Sequence, residues 1–89
     1  VGPSPRMRIA VVVPMWNQHA LTARCLRSLA ALVEQPEWVI VVDNGSVPEG
    51  RPGVLEARPG TEVLRMPRNL GFAAGCNAGI EWALERGAE

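Results

Sequence analysis

The chain has 89 residues, nine basic side chains that are all Arg, nine acidic ones of which eight are Glu and one is Asp43, and a net charge of zero. That length allows one small domain or a piece of a larger one, and the neutral balance excludes the broad cationic surface of a nucleic-acid binder. Hydrophobic residues at 47% and charged residues at 20% describe a folding chain, and no apolar run approaches the ~18 residues of a membrane span.

The first segment, Val-Gly-Pro-Ser-Pro-Arg, has no signal-peptide pattern. Residues 1–7 read as a tail, which leaves 8–89 as the folded portion. Residues 8–14, Arg-Ile-Ala-Val-Val-Val-Pro, place apolar β-branched side chains at consecutive positions. That pattern predicts a strand covered on both faces, as in a parallel sheet flanked by helices. From Ala20 to Glu34 the apolar residues Leu21, Cys25, Leu29, Leu32 and Val33 recur at spacings of three and four, predicting a helix that Pro36 ends. His19, at the start of this helix, reads as a surface or capping residue.

Residues 38–42, Trp-Val-Ile-Val-Val, repeat the buried-strand pattern. The stretch from Asn44 to Gly60 is a loop rich in Gly and Pro, with a short helical turn near 54–58. Glu62 to Met66 alternates and predicts a strand nearer an edge. A last helix runs from Leu70 to Arg86, with Cys76, Ile80, Ala83 and Leu84 on one side and Gly87 as its stop. The order is strand, helix, strand, loop, strand, helix, which predicts a right-handed βαβ unit in a parallel sheet. Such a three-stranded unit is small to stand alone and reads as the N-terminal part of a larger domain.

Cys25 and Cys76 are far apart and form no C-x-x-C pair. They predict buried free thiols in a reducing, cytoplasmic setting, ahead of a disulfide or a metal site. Trp38 and Trp82 read as core. Gly71, Gly75 and Gly79 recur every four residues within the last helix. Each costs ~1 kcal/mol against Ala in a helix interior, so they predict close backbone approach to the sheet or to a ligand. The spacing fits neither the dinucleotide nor the P-loop glycine pattern.

Ligands of open α/β sheets bind beyond the carboxyl ends of the strands. The first strand leads to Pro14-Met15-Trp16-Asn17, the second to Asp43-Asn44-Gly45-Ser46, the third to Pro67-Arg68-Asn69-Leu70-Gly71. Asp43 directly follows four apolar residues, and a buried charge needs partners. Two readings of it stand level: an acceptor for a ligand's N–H or hydroxyl groups, or a cap for the turn Asp-Asn-Gly-Ser. Arg68 reads first as a solvated charge and Asn69 as an N-cap, with contact to a nucleotide as the second reading. Trp16 reads first as a cover on the core edge, and otherwise as a stacking surface for a base or sugar.

Three blocks together resemble the N-terminal part of the family 2 glycosyltransferases, which have the GT-A fold. They are Ile9-Ala-Val-Val-Val-Pro-Met-Trp-Asn17 with Cys25-Leu-Arg-Ser-Leu29, then Val39-Ile-Val-Val-Asp-Asn-Gly-Ser46, then Arg68-Asn-Leu-Gly-Phe-Ala-Ala-Gly-Cys-Asn-Ala-Gly-Ile80. The third block is most similar to the rhamnosyltransferase-like branch. The resemblance implies a Rossmann-like half of a GT-A domain and transfer of a sugar from a UDP- or dTDP-linked donor. It implies that Pro14, Trp16, Asn17, Asp43, Asn44, Ser46, Arg68 and Asn69 line the donor nucleotide site, with Asp43 accepting from the base. Trp16 stands where many members have Tyr, and Ser46-Val-Pro-Glu-Gly50 replaces a common Ser-x-Asp-Gly-Ser. The family's Asp-x-Asp strand, which holds Mn²⁺ or Mg²⁺ on the diphosphate, is absent from a chain with one Asp, as is its catalytic base. The expectation is therefore a nucleotide-binding half with no catalytic residue and no metal ligand of its own. The rival expectation is a non-catalytic nucleotide-binding or self-assembling module that dimerises through an exposed sheet edge.

Overall fold

A computed structural model of the chain describes residues 7–46 and 53–89. The first six residues of the expected tail, and residues 47–50 of the divergent loop, lie outside the described residues. Three strands and three helices alternate: β1 (Ala10–Met15), α1 (His19–Ala30), β2 (Trp38–Asp43), α2 (Val54–Ala57), β3 (Glu62–Arg65) and α3 (Phe72–Glu85). The strands form one sheet in the order β1-β2-β3, parallel at both junctions, with Val13 beside Val41 and Asp43 beside Arg65. The predicted α/β class, the parallel sheet and the edge position of β3 are all present.

β2 is central, and the two-residue period of a strand sends its side chains to both sides. Val39 and Val41 join Met15 and Leu26 on one face, where α1 packs, with Ala57 of α2 at the margin. Ile40 and Val42 join Ala83 of α3 on the other, with Val12, Trp38 and Trp82 around them. Four consecutive apolar residues, Val39 to Val42, are thus fully buried. At about 1.5–3 kcal/mol each, they make β2 the organising element. β1 differs from expectation: residues 10–14 are only half-buried, because among the described residues it has β2 on one side alone. The carbonyls of Ile9 and Met15 accept N–H bonds from Glu37, Trp38 and Asn44, towards β2. Alternation then turns the backbone groups of Ala10, Val12 and Pro14 to the open side. The N–H that Pro14 lacks is one β2 does not ask for.

α1 corrects the predicted apolar stripe. Its buried residues are Thr22, Ala23 and Leu26; of the predicted stripe Leu29 packs half-buried against the core, while Leu21 and Leu32 are exposed and Val33 is wholly so. The helix also ends at Ala30, well before Pro36. The Gln35 side-chain amide donates to the carbonyls of Leu29, Ala30 and Leu32, while its oxygen accepts from Arg58. These bonds satisfy the last carbonyls and turn the chain away, so Leu32 and Val33 never join the helical face. Cys25, expected to be buried, is exposed, and Cys76 is half-buried; both are free thiols.

α3 is corrected in the same sense. Its buried residues are Gly75, Gly79 and Ala83, not Ile80 and Leu84, which are exposed. A Cβ built on Gly79 would lie 2.5 Å from a Val12 methyl and 3.0 Å from a Val42 methyl. Gly79 therefore lets the helix backbone rest on the β-branched side chains of β1 and β2, and a Cβ on Gly75 would meet the Asn44 amide at 3.3 Å and Val42 at 3.7 Å. Gly71, which precedes the helix, has nothing within 4 Å, so the close approach is to the sheet at two of the three glycines. Gly87 stops α3 as expected: its N–H reaches the Leu84 carbonyl and the N–H of Ala88 the Ala83 carbonyl, a Schellman ending. Among the described residues no helix is long and apolar enough to cross a membrane.

Candidate functional site

The carboxyl ends of the three strands meet at one edge of the sheet, and the chain ties them together there. Asp43 ends β2 at a register position opposite Arg65, on the same face. Neighbours in a parallel ladder sit close enough for direct pairing, and Arg65 Nη1 donates to Asp43 Oδ2 at 2.7 Å. The other oxygen, Oδ1, accepts the Ser46 backbone N–H at 2.9 Å. Arg65 Nη2 continues to the Ser46 carbonyl at 3.3 Å. Asp43 is 1% exposed. Burial pushes its pKa up, but bonds from the Ser46 hydroxyl and backbone and from the Arg65 guanidinium outweigh that and hold it below the ordinary value. The turn-capping reading of Asp43 is thus present in the structure.

Ser46 also binds the first strand end: its hydroxyl oxygen accepts the Asn17 N–H at 2.8 Å. Asn17 has φ 65°, the left-handed region that Asn tolerates better than most residues. Asn44 binds the third strand end. Its Nδ2 donates to the Gly71 carbonyl at 3.0 Å and its Oδ1 accepts the Leu70 N–H at 3.0 Å. Gly45 completes the lock with φ 83°; a Cβ there would sit 2.8 Å from the backbone of Arg68 and Asn69. A non-glycine at position 45 meets both strain and collision.

Asn69 is not the N-cap expected of it. Gly71 holds that position, at φ 92°, and Asn69 Oδ1 accepts the Gly71 N–H at 2.8 Å from outside the helix. His19 is neither a surface nor a capping residue. It is half-buried as the first residue of α1, which has no side-chain cap, and its Nε2 is buried with no partner among the described residues. Arg68 is exposed.

Beside this network lies a cleft of about 210 Å³ lined by Pro14, Met15, Trp16, Asn44, Asn69 and Phe72. Four of the predicted site residues (Pro14, Trp16, Asn44 and Asn69) are brought together here, and Asp43 and Ser46 form the network next to it. Trp16 is 53% exposed, so it does not close the core edge. A larger surface hollow of about 680 Å³ is lined by α1 alone, from Leu21 to Ala31. One helix cannot enclose a ligand, and none of the predicted site residues lines that hollow.

Sequence reasoning missed two residues at this edge. Arg65 neutralises Asp43, and the signal for it was a basic residue closing an edge strand. Phe72 lines the cleft, and its signal was an aromatic residue directly after the Gly71 that starts α3. Among the described residues no group of three or more His, Cys, Asp or Glu side chains is placed to hold a metal ion, and Asp43 is paired with Arg65. The donor set present does not fit a divalent cation.

Neither curated proteins nor solved structures gave a match to the chain. The model of the family described as "Glycosyl transferase family 2" matches residues 10–86, from the first residue of β1 to the residue after α3. With a matching region that spans the whole sheet and its helices, and with the half-Rossmann layout that the strands adopt, the chain belongs to glycosyl transferase family 2.

Proposed function

We propose that this chain supplies the nucleotide-binding half of a glycosyltransferase that moves a sugar from a nucleoside diphosphate donor, UDP- or dTDP-linked, to an acceptor. The observation that supports the reading is the cleft at the carboxyl edge of the parallel sheet, where ligands of such sheets bind, lined by residues from two strand ends and the start of α3. The rhamnosyltransferase-like branch belongs to the same proposal and rests on the run Arg68 to Ile80. The reading extends to Asn17 and Ser46, which tie the first strand end to the second. It also extends to Arg68, whose exposed charge precedes the cleft residue Asn69. Asp43 enters it as the residue that fixes the edge, its carboxylate buried and bonded to Arg65 and Ser46. A cytoplasmic setting goes with the two free thiols. The Mn²⁺ or Mg²⁺ that the family resemblance implies has no fitting donor set among the described residues.

The test is an NMR titration of the chain with UDP, dTDP and GDP, each with and without Mn²⁺. Saturable shifts around Trp16, Asn44 and Asn69 without Mn²⁺ support the reading. A folded sample that responds to no nucleotide overturns it.

A second reading, self-assembly, draws on one observation: β1 is apolar, half-buried and open on one side, with Ile9, Ile80 and Leu84 exposed. Such an edge favours strand pairing with a second copy. Sedimentation at rising concentration tests it; a monomer throughout removes it.

A further inference from the structure

We propose that Phe72 is a binding residue of this site, forming with Trp16 the aromatic walls of a slot that takes the planar base of the nucleoside diphosphate. The inference rests on the nucleotide reading above and adds to it how the base is held.

The first observation is what the cleft has left to offer. Asn44 already bonds the Gly71 carbonyl and the Leu70 N–H through both ends of its amide, and Asn69 Oδ1 is taken by Gly71 N–H. The remaining lining is Pro14, Met15, Trp16 and Phe72. A wall with few open hydrogen-bonding groups and two aromatic rings grips a ligand through its flat face. It reads little of the edge pattern that distinguishes one base from another.

The second observation is Phe72 itself, which is 74% exposed although it begins a helix whose other side is packed on the sheet. It adds nothing to either core cluster. An aromatic ring left in water beside a second exposed aromatic, at the edge of a cleft, has the composition of a contact surface.

Size and charge point the same way. Pockets that enclose a whole small ligand run to roughly 300–1,000 Å³. A cleft of about 210 Å³ therefore seats one part of a ligand, such as a ring, and leaves the rest outside. Asp43 is neutralised by Arg65, and the residue before the cleft residue Asn69 is the exposed Arg68, a charge of the sign that suits phosphate groups on that outer part.

The experiment compares wild type with Phe72→Ala, Phe72→Leu and Phe72→Tyr by NMR titration with UDP, dTDP and inorganic pyrophosphate. Phe72→Ala weakens UDP about tenfold, in line with the loss of one base–aromatic stack. Phe72→Leu recovers little of this despite its bulk, and Phe72→Tyr recovers most. Pyrophosphate, which has no ring, binds all four proteins alike, and UDP and dTDP stay within about tenfold of each other. Urea midpoints equal to wild type confirm that each variant folds. If UDP binds wild type and Phe72→Ala equally, the aromatic slot is wrong while the nucleotide reading stands. If pyrophosphate loses as much as UDP in Phe72→Ala, the ring is not what Phe72 holds and the proposal falls. If wild type binds no nucleotide, both fall together.

Discussion

At the end of β2, Asp43, Asn44 and Ser46 are buried and their polar atoms bond within the chain, whereas beside them Trp16 and Phe72 stand largely in solvent. The two groups share one edge of one sheet. The polar group contains the residues that a search for chemistry singles out: a lone carboxylate, an amide and a hydroxyl. The aromatic pair has the aspect of ordinary apolar material placed badly. Burial reverses that impression. Polar groups inside a fold must be paired, and pairing uses up the capacity to recognise anything else. Exposed aromatic rings keep theirs. The difference teaches that the polar run Asp-Asn-Gly-Ser is first an architectural device that draws three strand ends together, and that the exposed surface for a ligand is made by its neighbours.

The comparison breaks if the network proves dispensable. Asp43→Ala leaves the Ser46 N–H and the Arg65 guanidinium without their acceptor, and the expected loss is about 2–3 kcal/mol of folding stability, read from urea unfolding. A variant as stable as wild type would return Asp43 to the free acceptor of the other reading. Gly45→Ala comes next, at about 2 kcal/mol, because a left-handed residue and a Cβ against the Arg68 backbone both act against it. An Ala at 45 with an unchanged urea midpoint would mean that the strand ends are not locked as described.

The pH dependence sharpens the same contrast with a smaller effect. Asp43 titrates below its ordinary value near 3.8. Its contribution to stability is therefore whole above that value and is lost as pH falls through the lower folded value. Wild type should lose more stability between pH 5 and pH 2.5 than Asp43→Asn does. Equal losses would show that the bonds from Ser46 and Arg65 to Asp43 carry no weight. The smallest effect on the fold belongs to the other region. Trp16→Ala should stay within about 0.5 kcal/mol of wild type, as exposed substitutions do, while weakening UDP about tenfold. A Trp16→Ala protein that unfolds early would place Trp16 in the core after all.

Much of the fold was legible because it depends on short-range patterns. Consecutive apolar β-branched residues marked β1 and β2, alternation marked β3, and Gly87 marked the end of α3. What failed was the choice of which helical face packs inward. In α1 the stripe through Leu21, Cys25 and Val33 promised to be the buried one, yet Thr22, Ala23 and Leu26 face inward. In α3 Ile80 and Leu84 promised the same and are exposed, whereas Ala83 of that stripe is buried, together with Gly75 and Gly79, where the glycine spacing predicts close approach. Both errors share a cause. A search for large apolar side chains assumes that they fill the gap between helix and sheet, whereas here valines of the sheet fill much of it, so α3 presents Gly75, Gly79 and Ala83, and α1 presents Thr22 and Ala23 beside the one large residue Leu26. At the candidate site, the convergence of strand ends was legible from their order. The pairing of Asp43 with Arg65 was not, because it follows from strand register.

The sequence by itself determined the order of elements, the parallel sheet, the family blocks and the set of residues at the strand ends, since these follow from local patterning and chain connectivity. Only the tertiary structure decided which of those residues keep free polar or aromatic surface. That depends on what lies opposite each side chain: Arg65 opposite Asp43, the Gly71 carbonyl opposite Asn44, and nothing opposite much of Trp16 and Phe72 but solvent.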